Sequence, residues 1–395
     1  MFKTQYCHTL LGSSFQNLNK ARIKTLLKCS DGLIRSDELT LTAIGRNLHG
    51  PSLTKHKIKR VDRLLSSEKL YKDRVNIYQQ LSKVFIPKLP FYLIAIDWSG
   101  CCNADYWVLR ASLLVDGRSI VLYNQVVDKV ELEQTHIHDE FLEHLSRFFS
   151  QQAKVYIIAD GGFKTPWMQK VAALGWYHVT RVRGQIHGQI QEGDWQPVSA
   201  LSKGATNIPN ALGLGKLGKT SKTRCDAYFH LYKGKIKGRK STNNQYPNAQ
   251  KAYRSIASEP WLLVTNDASL SATQVVTYYS KRMQIEQNFR DDKSQRYGFS
   301  WRNSQTTSAQ RIEILCLIAC IATNVLWFIG FQAERNKLHH QFQANSIKTR
   351  RVLSFLSLAK NILIHFTFRK IIALFSHGIT NLTKDYTKRI YTMDF

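Results

Sequence analysis

Four residues whose side chains can carry chemistry lie at fixed spacing in the segment VVTYYSKRMQIEQNFRDDKS. They follow the pattern Tyr-x2-Arg-x3-Glu-x6-Lys and are Tyr279, Arg282, Glu286 and Lys293. At about 100° per residue on an α-helix, the spacing predicts that all four lie within roughly 60° of one another. One acid between two cations on a polar helix face favours a site for a metal ion beside a phosphate. Taken alone, the Arg282–Glu286 pair is typical of an ordinary solvated surface pair.

Two further carboxylates follow apolar segments that have the pattern of buried strands. Asp97 ends the run FYLIAID, and Asp160 ends the run KVYIIAD. Each acid by itself is typical of a turn or a helix N-cap. Together with Glu286 they suit two Mg²⁺ ions about 3.5–4 Å apart, the arrangement used for in-line phosphoryl transfer. Asp97 is predicted to bridge both ions, and Asp160 and Glu286 to hold one each, with Mn²⁺ as an alternative metal.

The order of elements around these acids predicts an α/β fold. After a proline-containing joint at 86–90, three strands, a helix, a strand, a short helix and a fifth strand follow, with a hairpin turn at Asp116-Gly117. This is the order of a ribonuclease H-like domain. In such a sheet the first and fourth strands are parallel neighbours, which would bring Asp97 and Asp160 to one edge.

Composition changes along the chain predict five segments. They are a helical, helix-turn-helix-like DNA-binding domain at 1–85, the first part of the catalytic domain at 90–184, a basic β-rich insertion at 185–258, the second part with the signature helix at 259–335, and a helical C-terminal region at 336–395. In the first segment five cations crowd the second predicted helix; they are Lys55, Lys57, Lys59, Arg60 and Arg63. That helix is either a DNA-reading helix or a charged surface helix.

The charge balance favours a polyanionic partner. The 395 residues contain 56 Lys and Arg against 28 acids, a net charge of +28. Such a field is expected of a protein that binds double-stranded DNA, although a membrane surface attracts cations too. The seven cysteines include no CxxC pair, which favours reduced thiols in a cytoplasm. The apolar run 314–331 is long enough for a membrane span, but its polar breaks favour a buried helix and no membrane partner.

The signature and both aspartate motifs resemble those of bacterial cut-and-paste insertion-sequence transposases with a D-D-E triad. Asp97 in AIDWSG and Asp160 in IADGGFKTPW look like the first and second acids of that family, and Glu286 like the third. The resemblance implies that the enzyme binds terminal inverted repeats, pairs two ends as a homodimer, nicks, forms a hairpin, and joins the element to target DNA. It also implies that the region 336–395 supports dimer or DNA contacts.

Further DNA contacts are expected around the triad. Tyr279, Arg282 and Lys293 are predicted to bind DNA, as are Arg181 and Arg183 after the fifth strand. Trp261 in EPWLLVT resembles the tryptophan that receives a flipped base in this family, and a core strand aromatic is the competing interpretation. A structure-specific nuclease and a transposase-derived repressor remain alternatives. A cytoplasmic, nucleoid-associated protein is expected.

Overall fold

The structure is a computed structural model that describes residues 5–86, 88–101, 105–220, 223–234, 259–295, 298–344, 346–347 and 349–391. It divides into two compact units. We call Met1–Gln134, Glu143–Ala153 and Met283–Thr392 the terminal unit. We call Thr135–Leu142, Lys154–Arg282 and Met393–Phe395 the central unit. The units cut across the five segments expected from composition, and those boundaries stay a prediction.

The terminal unit combines a three-stranded antiparallel sheet with a cluster of helices. Its strands are β1 (Tyr92–Gly100), β2 (Tyr106–Asp116) and β3 (Arg118–Asp128). Its helices are α1 (Tyr6–Leu11), α2 (Lys20–Ser36), α3 (Leu41–Arg46), α4 (Thr54–Leu65), α5 (Glu68–Phe85), the C-terminal end of α6 (Thr135–Ser146), α10 (Met283–Lys293), α11 (Ala309–Arg335), α12 (Phe355–His365) and α13 (Phe368–Tyr391).

The predicted hairpin at Asp116-Gly117 is confirmed. Asp116 pairs with Arg118 across the turn, and Gly117 has a φ of 65°, a conformation that favours glycine. β1 pairs with β2 so that Asp97 lies directly opposite Arg110. The prediction that Asp97 ends its strand is wrong, because the ladder continues through Gly100. Trp98, Ser99 and Gly100 still pair with β2 through their backbone, which is independent of side-chain polarity.

The core of the terminal unit is helix α11. Its apolar window is wholly buried, which confirms the predicted buried helix, although by length and composition alone the helix could cross a membrane. The polar break in its sequence has a structural cause. Asn324 accepts from the Val121 N–H at 3.2 Å and donates to the Val121 carbonyl at 2.8 Å. The amide thereby provides hydrogen-bond partners for two backbone groups of β3 that are buried in the core. A side chain at Gly330 would collide with the Phe355 carbonyl, so glycine permits α12 to pack closely.

The central unit is built on a mixed sheet. Its strands run in the order β4-β5-β10-β9-β8-β6-β7. They are β4 (Val155–Ala159), β5 (Tyr177–Val182), β6 (His187–Ile190), β7 (Gln196–Pro197), β8 (Asn210–Gly218), β9 (Cys225–Tyr232) and β10 (Trp261–Thr265). Its helices are the N-terminal part of α6, α7 (Thr165–Ala173), α8 (Val198–Leu201) and α9 (Ala272–Ser280). β4 and β5 are parallel, and β5 is antiparallel to β10.

The predicted β-rich insertion falls partly in this unit. Strands β6 to β9 lie within the predicted range 185–258, and the rest of that range, 235–258, lies outside the described residues. One face of the β5-β10-β9 layer is apolar and packs on Met168 of α7 and Val198 of α8. The mixed α/β architecture agrees with the predicted fold class in its coarse form.

The prediction of one helix that carries the whole signature is wrong. α9 ends at Ser280 and α10 begins at Met283. Tyr279 therefore lies on α9, Arg282 in the turn between the helices, and Glu286 and Lys293 on α10. At the end of α9 the Lys281 N–H reaches back three residues to Tyr278, and the Arg282 N–H does the same to Tyr279. These tighter i→i+3 bonds close the last turn and end the helix.

Candidate active site

In the terminal unit the structure fixes Lys293 beside the strand that carries Asp97. The Lys293 ammonium donates to the Ser99 hydroxyl at 2.7 Å. Ser99 is two residues beyond Asp97 and therefore on the same face of β1. Burial lowers the pKa of Lys293, and the nearby Arg302 guanidinium lowers it further. An amine destabilised by a second cation is ready to accept an anionic partner such as a phosphate.

Glu286 shares a side of α10 with Lys293. The two residues are seven positions apart, which places them within roughly 20° of one another around the helix. Glu286 lies in the first turn of α10, where the positive end of the helix dipole favours a carboxylate. Asp97 accepts a hydrogen bond from the Trp98 N–H at 2.9 Å. Each of the two predicted acids of this unit is half-buried.

In the central unit Asp160 follows directly on β4, as the sequence predicted. Its Oδ1 accepts from the Gly161 N–H at 2.7 Å and from the Tyr279 hydroxyl at 3.0 Å. Its Oδ2 faces the Arg183 guanidinium at 3.3 Å and the Arg282 guanidinium at 3.9 Å. We call this set of four donors the Asp160 cage.

The Asp160 cage keeps the carboxylate ionised. Burial by itself would raise the pKa of Asp160. The Arg282 guanidinium, the Gly161 N–H, Arg183 and the Tyr279 hydroxyl together outweigh burial and lower the pKa below its usual value. Asp160 therefore remains an anion throughout the physiological pH range. Arg183 has a side chain 45% exposed, so this cation can leave the carboxylate without unpacking the unit.

Tyr279 is buried, although the sequence pattern placed it on a polar helix face. Its ring is 4% exposed and packs edge-to-face on Trp261 with 4.9 Å between ring centroids. Trp261 is half-buried at the start of β10 and also contacts Tyr232. The phenol is thus held by an aromatic cluster on one side and by Asp160 on the other. Burial raises the pKa of Tyr279, so its hydroxyl stays a proton donor.

The two arginines near the fifth strand have different surroundings. Arg181 lies inside β5, not after it as predicted, and is almost fully buried. It pairs with Glu259 at 2.7 Å and donates to the Pro260 carbonyl at 3.3 Å. Arg183 does follow the strand and joins the Asp160 cage. The predicted DNA contact of Arg181 stays a prediction, although its present partners are both protein groups.

The N-terminal cations lie on α4. Lys55, Lys59 and Arg63 are exposed, and Lys57 and Arg60 are half-buried. A cavity of about 320 Å³ opens between α2 and α4, with a mainly polar and cationic lining. Its lining residues are Arg22, Thr25, His56, Lys59, Arg60, Arg63, Leu64 and Ser67. A concentration of cations around a cavity is suited to phosphate groups.

Sequence reasoning missed the surroundings of two other acids. Asp291 and Asp292 adjoin the signature but are buried and paired with Arg118 at 2.5 Å and Arg110 at 2.7 Å. Arg110 stands as a lone cation within the apolar run YWVLRASLLV, which was the available signal for a buried ion pair. Within the described ranges, no group of three or more His, Cys, Asp or Glu is close enough to hold a metal.

The fold and these acids define a class of mixed α/β proteins that present carboxylates near arginine, lysine and tyrosine side chains. Residues 95–325 match the family model described as the transposase DDE domain, which covers more than half of the chain. The chain therefore belongs to the DDE transposase family. No curated protein matches the chain.

Proposed function

We propose that this transposase moves DNA by a cut-and-paste reaction and that Asp97, Asp160 and Glu286 are its catalytic triad. The observation that carries the proposal is the Asp160 cage. An ionised carboxylate at the carboxyl end of a strand, surrounded by signature residues Tyr279 and Arg282, is the arrangement expected of an acid that takes part in phosphoryl transfer. The family membership points to the same chemistry.

The three acids suit Mg²⁺ by their donor chemistry. Asp and Glu supply the hard carboxylate oxygens that Mg²⁺ prefers, and Mn²⁺ accepts the same ligands. Two arginines face Oδ2 of Asp160, and a divalent cation at this oxygen would neutralise the same negative charge. Asp97, Asp160 and Glu286 would hold two divalent ions, which supply Lewis-acid activation of the attacking and leaving oxygens.

The remaining residues orient the acids and the DNA. The Tyr279 hydroxyl and the Gly161 N–H fix the rotamer of Asp160. Arg282 and Lys293 bind phosphates next to the scissile bond, and Arg183 joins them when it leaves Asp160. Trp261 stacks a base that leaves the duplex during hairpin formation. Arg181 anchors the start of β10 and so orients Trp261.

The substrate is the terminal inverted repeat of an insertion sequence. Two ends are brought together by a homodimer, and nicking, hairpin formation, reopening and strand transfer follow at one site. The segments LTLTAIGRNL and TKHKIKRVDRLL resemble the transposase of the tetracycline-resistance composite transposon, which uses this pathway. The region 336–395 contributes to dimer or DNA contacts. A cytoplasmic, nucleoid-associated location is part of the proposal.

The test is an assay of the purified chain on inverted-repeat DNA with Mg²⁺ or Mn²⁺. A transposase gives nicked DNA, hairpins and strand-transfer products in that order. A structure-specific nuclease cuts without joining, and a transposase-derived repressor binds without cutting. Either of the last two results refutes cut-and-paste transposition. Loss of all products in EDTA tests the metal requirement.

The cations of α4 give a separate prediction about binding. We expect Lys59→Ala with Arg60→Ala to weaken DNA binding and to lower the slope of log K against log salt by about one per lost phosphate contact. Titrations at several salt concentrations measure both quantities. An unchanged slope would mean that α4 is only a charged surface helix.

A further inference from the structure

Helix α10 carries Glu286 and Lys293, and polar groups hold it in place together with the buried apolar side chains of Ile285 and Phe289. Four of its side chains are almost fully buried although each is polar or charged. They are Gln284, Asn288, Asp291 and Asp292. A buried polar face needs a specific partner for every group, because an unpaired one destabilises the fold. The partners therefore define where this helix can sit.

Each of these four side chains has a partner on the β2–β3 hairpin. Gln284 accepts from the Val115 N–H at 2.9 Å. Asn288 donates to the Ser119 carbonyl at 2.7 Å. These two contacts bind the helix to backbone groups near the hairpin turn, so they fix the position of the helix along the strand direction.

The other two contacts are ion pairs with arginines of the same hairpin. Asp291 binds the Arg118 guanidinium through both oxygens, at 2.5 and 3.2 Å. Asp292 pairs with Arg110 at 2.7 Å. A bidentate arginine–carboxylate contact is directional as well as strong.

Arg110 ties this helix to the strand that carries Asp97. Arg110 is 2% exposed and lies directly opposite Asp97 in the β1–β2 ladder, so both side chains are on one face of the sheet. Its Nε donates to Asn124 at 2.7 Å, and its guanidinium lies 4.4 Å from the centre of the Phe289 ring. The arginine is fixed from the strand below and from the helix above.

We infer that these contacts form a polar lock that sets the rotation and register of α10 and thereby orients Glu286 and Lys293. The lock consists of Gln284, Asn288, Asp291 and Asp292 with Arg110 and Arg118. Sliding the helix by one residue would turn it by about 100° and break all four contacts. Glu286 and Lys293 lie on the other side of the helix from the lock. Arg110 and Asp292 are positioning residues and do not touch the reacting atoms.

The inference rests on the proposed function, because orientation of Glu286 matters only if Glu286 takes part in catalysis. The test uses two double variants that remove the same kind of contact. The lock variant is Arg110→Met with Asp292→Leu. The matched control is Arg74→Met with Glu313→Leu, which removes a buried arginine–glutamate pair at 3.0 Å between α5 and α11. Replacing a whole buried pair by apolar residues often leaves a protein folded, unlike removal of one partner.

Three quantities are measured on the full chain: DNA-end affinity, the single-turnover cleavage rate at saturating DNA and Mg²⁺, and amide hydrogen exchange across 283–293. In the lock variant we expect unchanged affinity and a cleavage rate lower by about 100-fold, the effect of a displacement near 1 Å. Exchange in α10 should rise by about tenfold or more. The control should match the parent in all three.

A lock variant that cleaves like the parent would overturn the inference, and so would equal losses in both double variants. If the parent itself cleaves no DNA, the proposed function fails and the lock is judged by exchange alone. Faster exchange only in the lock variant then supports the lock, and equal exchange in the two variants overturns it. Adding the conservative Arg110→Lys variant tests geometry, since lysine keeps the charge without the planar fork.

Discussion

The two units hold their predicted acids in different ways. In the terminal unit, the helix that carries Glu286 is bound to its sheet by buried ion pairs such as Arg110–Asp292. In the central unit, Asp160 is surrounded by side-chain donors, one of which, Arg183, is 45% exposed. One acid belongs to a rigid element, and the other has partners that can be exchanged. The difference teaches that one chain can hold one predicted acid on a rigid element and leave another with replaceable counter-ions.

The largest expected effect comes from removing the charge of Asp160. We expect Asp160→Asn to lower DNA cleavage by roughly 10³-fold, because an electrostatic group of the proposed active site is lost. DNA binding should be retained. The matched control is Asp267→Asn, which alters a buried acid of the same unit that caps a turn at Ser269. Equal loss of cleavage in both variants would show that Asp160 acts only through stability.

A smaller effect is expected from deleting one donor of the Asp160 cage. Tyr279→Phe keeps the ring against Trp261 but removes the hydroxyl, and a hydrogen bond to a charged group contributes about 1.5–3 kcal/mol. Cleavage should fall by about tenfold or more, as measured in single-turnover assays.

Tyr156→Phe is the control for this change. Tyr156 donates to Asp267 at 2.6 Å in the same unit, so the variant removes a similar tyrosine–aspartate hydrogen bond. It should lower the melting temperature without slowing cleavage. If the two variants slow cleavage equally, the hydroxyl of Tyr279 has no special role.

The units should also respond to acid in opposite directions. Burial lowers the pKa of His178 and of His230 in the central unit to about 4. The unfolded chain takes up these protons near pH 6.5, so it binds more protons between pH 6.5 and 4 and the central unit loses stability as pH falls. The expected decrease in the free energy of unfolding is about 2 kcal/mol per imidazole at pH 5.

In the terminal unit, Asp31 is the group whose contribution changes in the opposite direction with pH. Burial raises the pKa of this carboxyl to about 6. Because the folded pKa lies above the unfolded value, Asp31 contributes stability at low pH that is lost as pH rises through 6. Hydrogen exchange at pH 7 and pH 5, corrected for intrinsic rates, measures each unit separately. His230→Leu should reduce the acid response of the central unit. A parallel response of both units would contradict the comparison.

The smallest and most selective effect is expected at Trp261. Losing a stacking partner costs about 1–3 kcal/mol per base, and only the step that needs an extruded base should suffer. Trp261→Ala should therefore nick DNA nearly normally and accumulate nicked product with few hairpins. Time courses at matched concentrations of folded enzyme measure each step. A uniform loss at all steps, with a lower melting temperature, would identify Trp261 as a core residue.

The sequence alone was enough to predict most elements and the family. Apolar runs with the pattern of buried strands predicted β1 to β5, and the Asp-Gly pair predicted the hairpin because glycine accepts the positive φ of that turn. The long apolar run predicted a buried helix, since its polar breaks disfavoured a lipid environment. The spacing of Tyr279, Arg282, Glu286 and Lys293 resembled that of DDE transposases. The family match confirms that the chain belongs to the DDE transposase family.

Only the tertiary structure decided where the signature bends and which polar groups pair. Helical periodicity cannot register the break after Ser280, because that break arises from local i→i+3 bonds and not from a residue type. The buried pairing of Arg110 with Asp292 joins residues 182 positions apart, and no local pattern encodes such a contact. The Asp160 cage joins residues at the C-terminal ends of β4, β5 and α9, which are distant in sequence as well. Side chains that look alike in sequence acquire different roles because burial and long-range partners are properties of the folded chain.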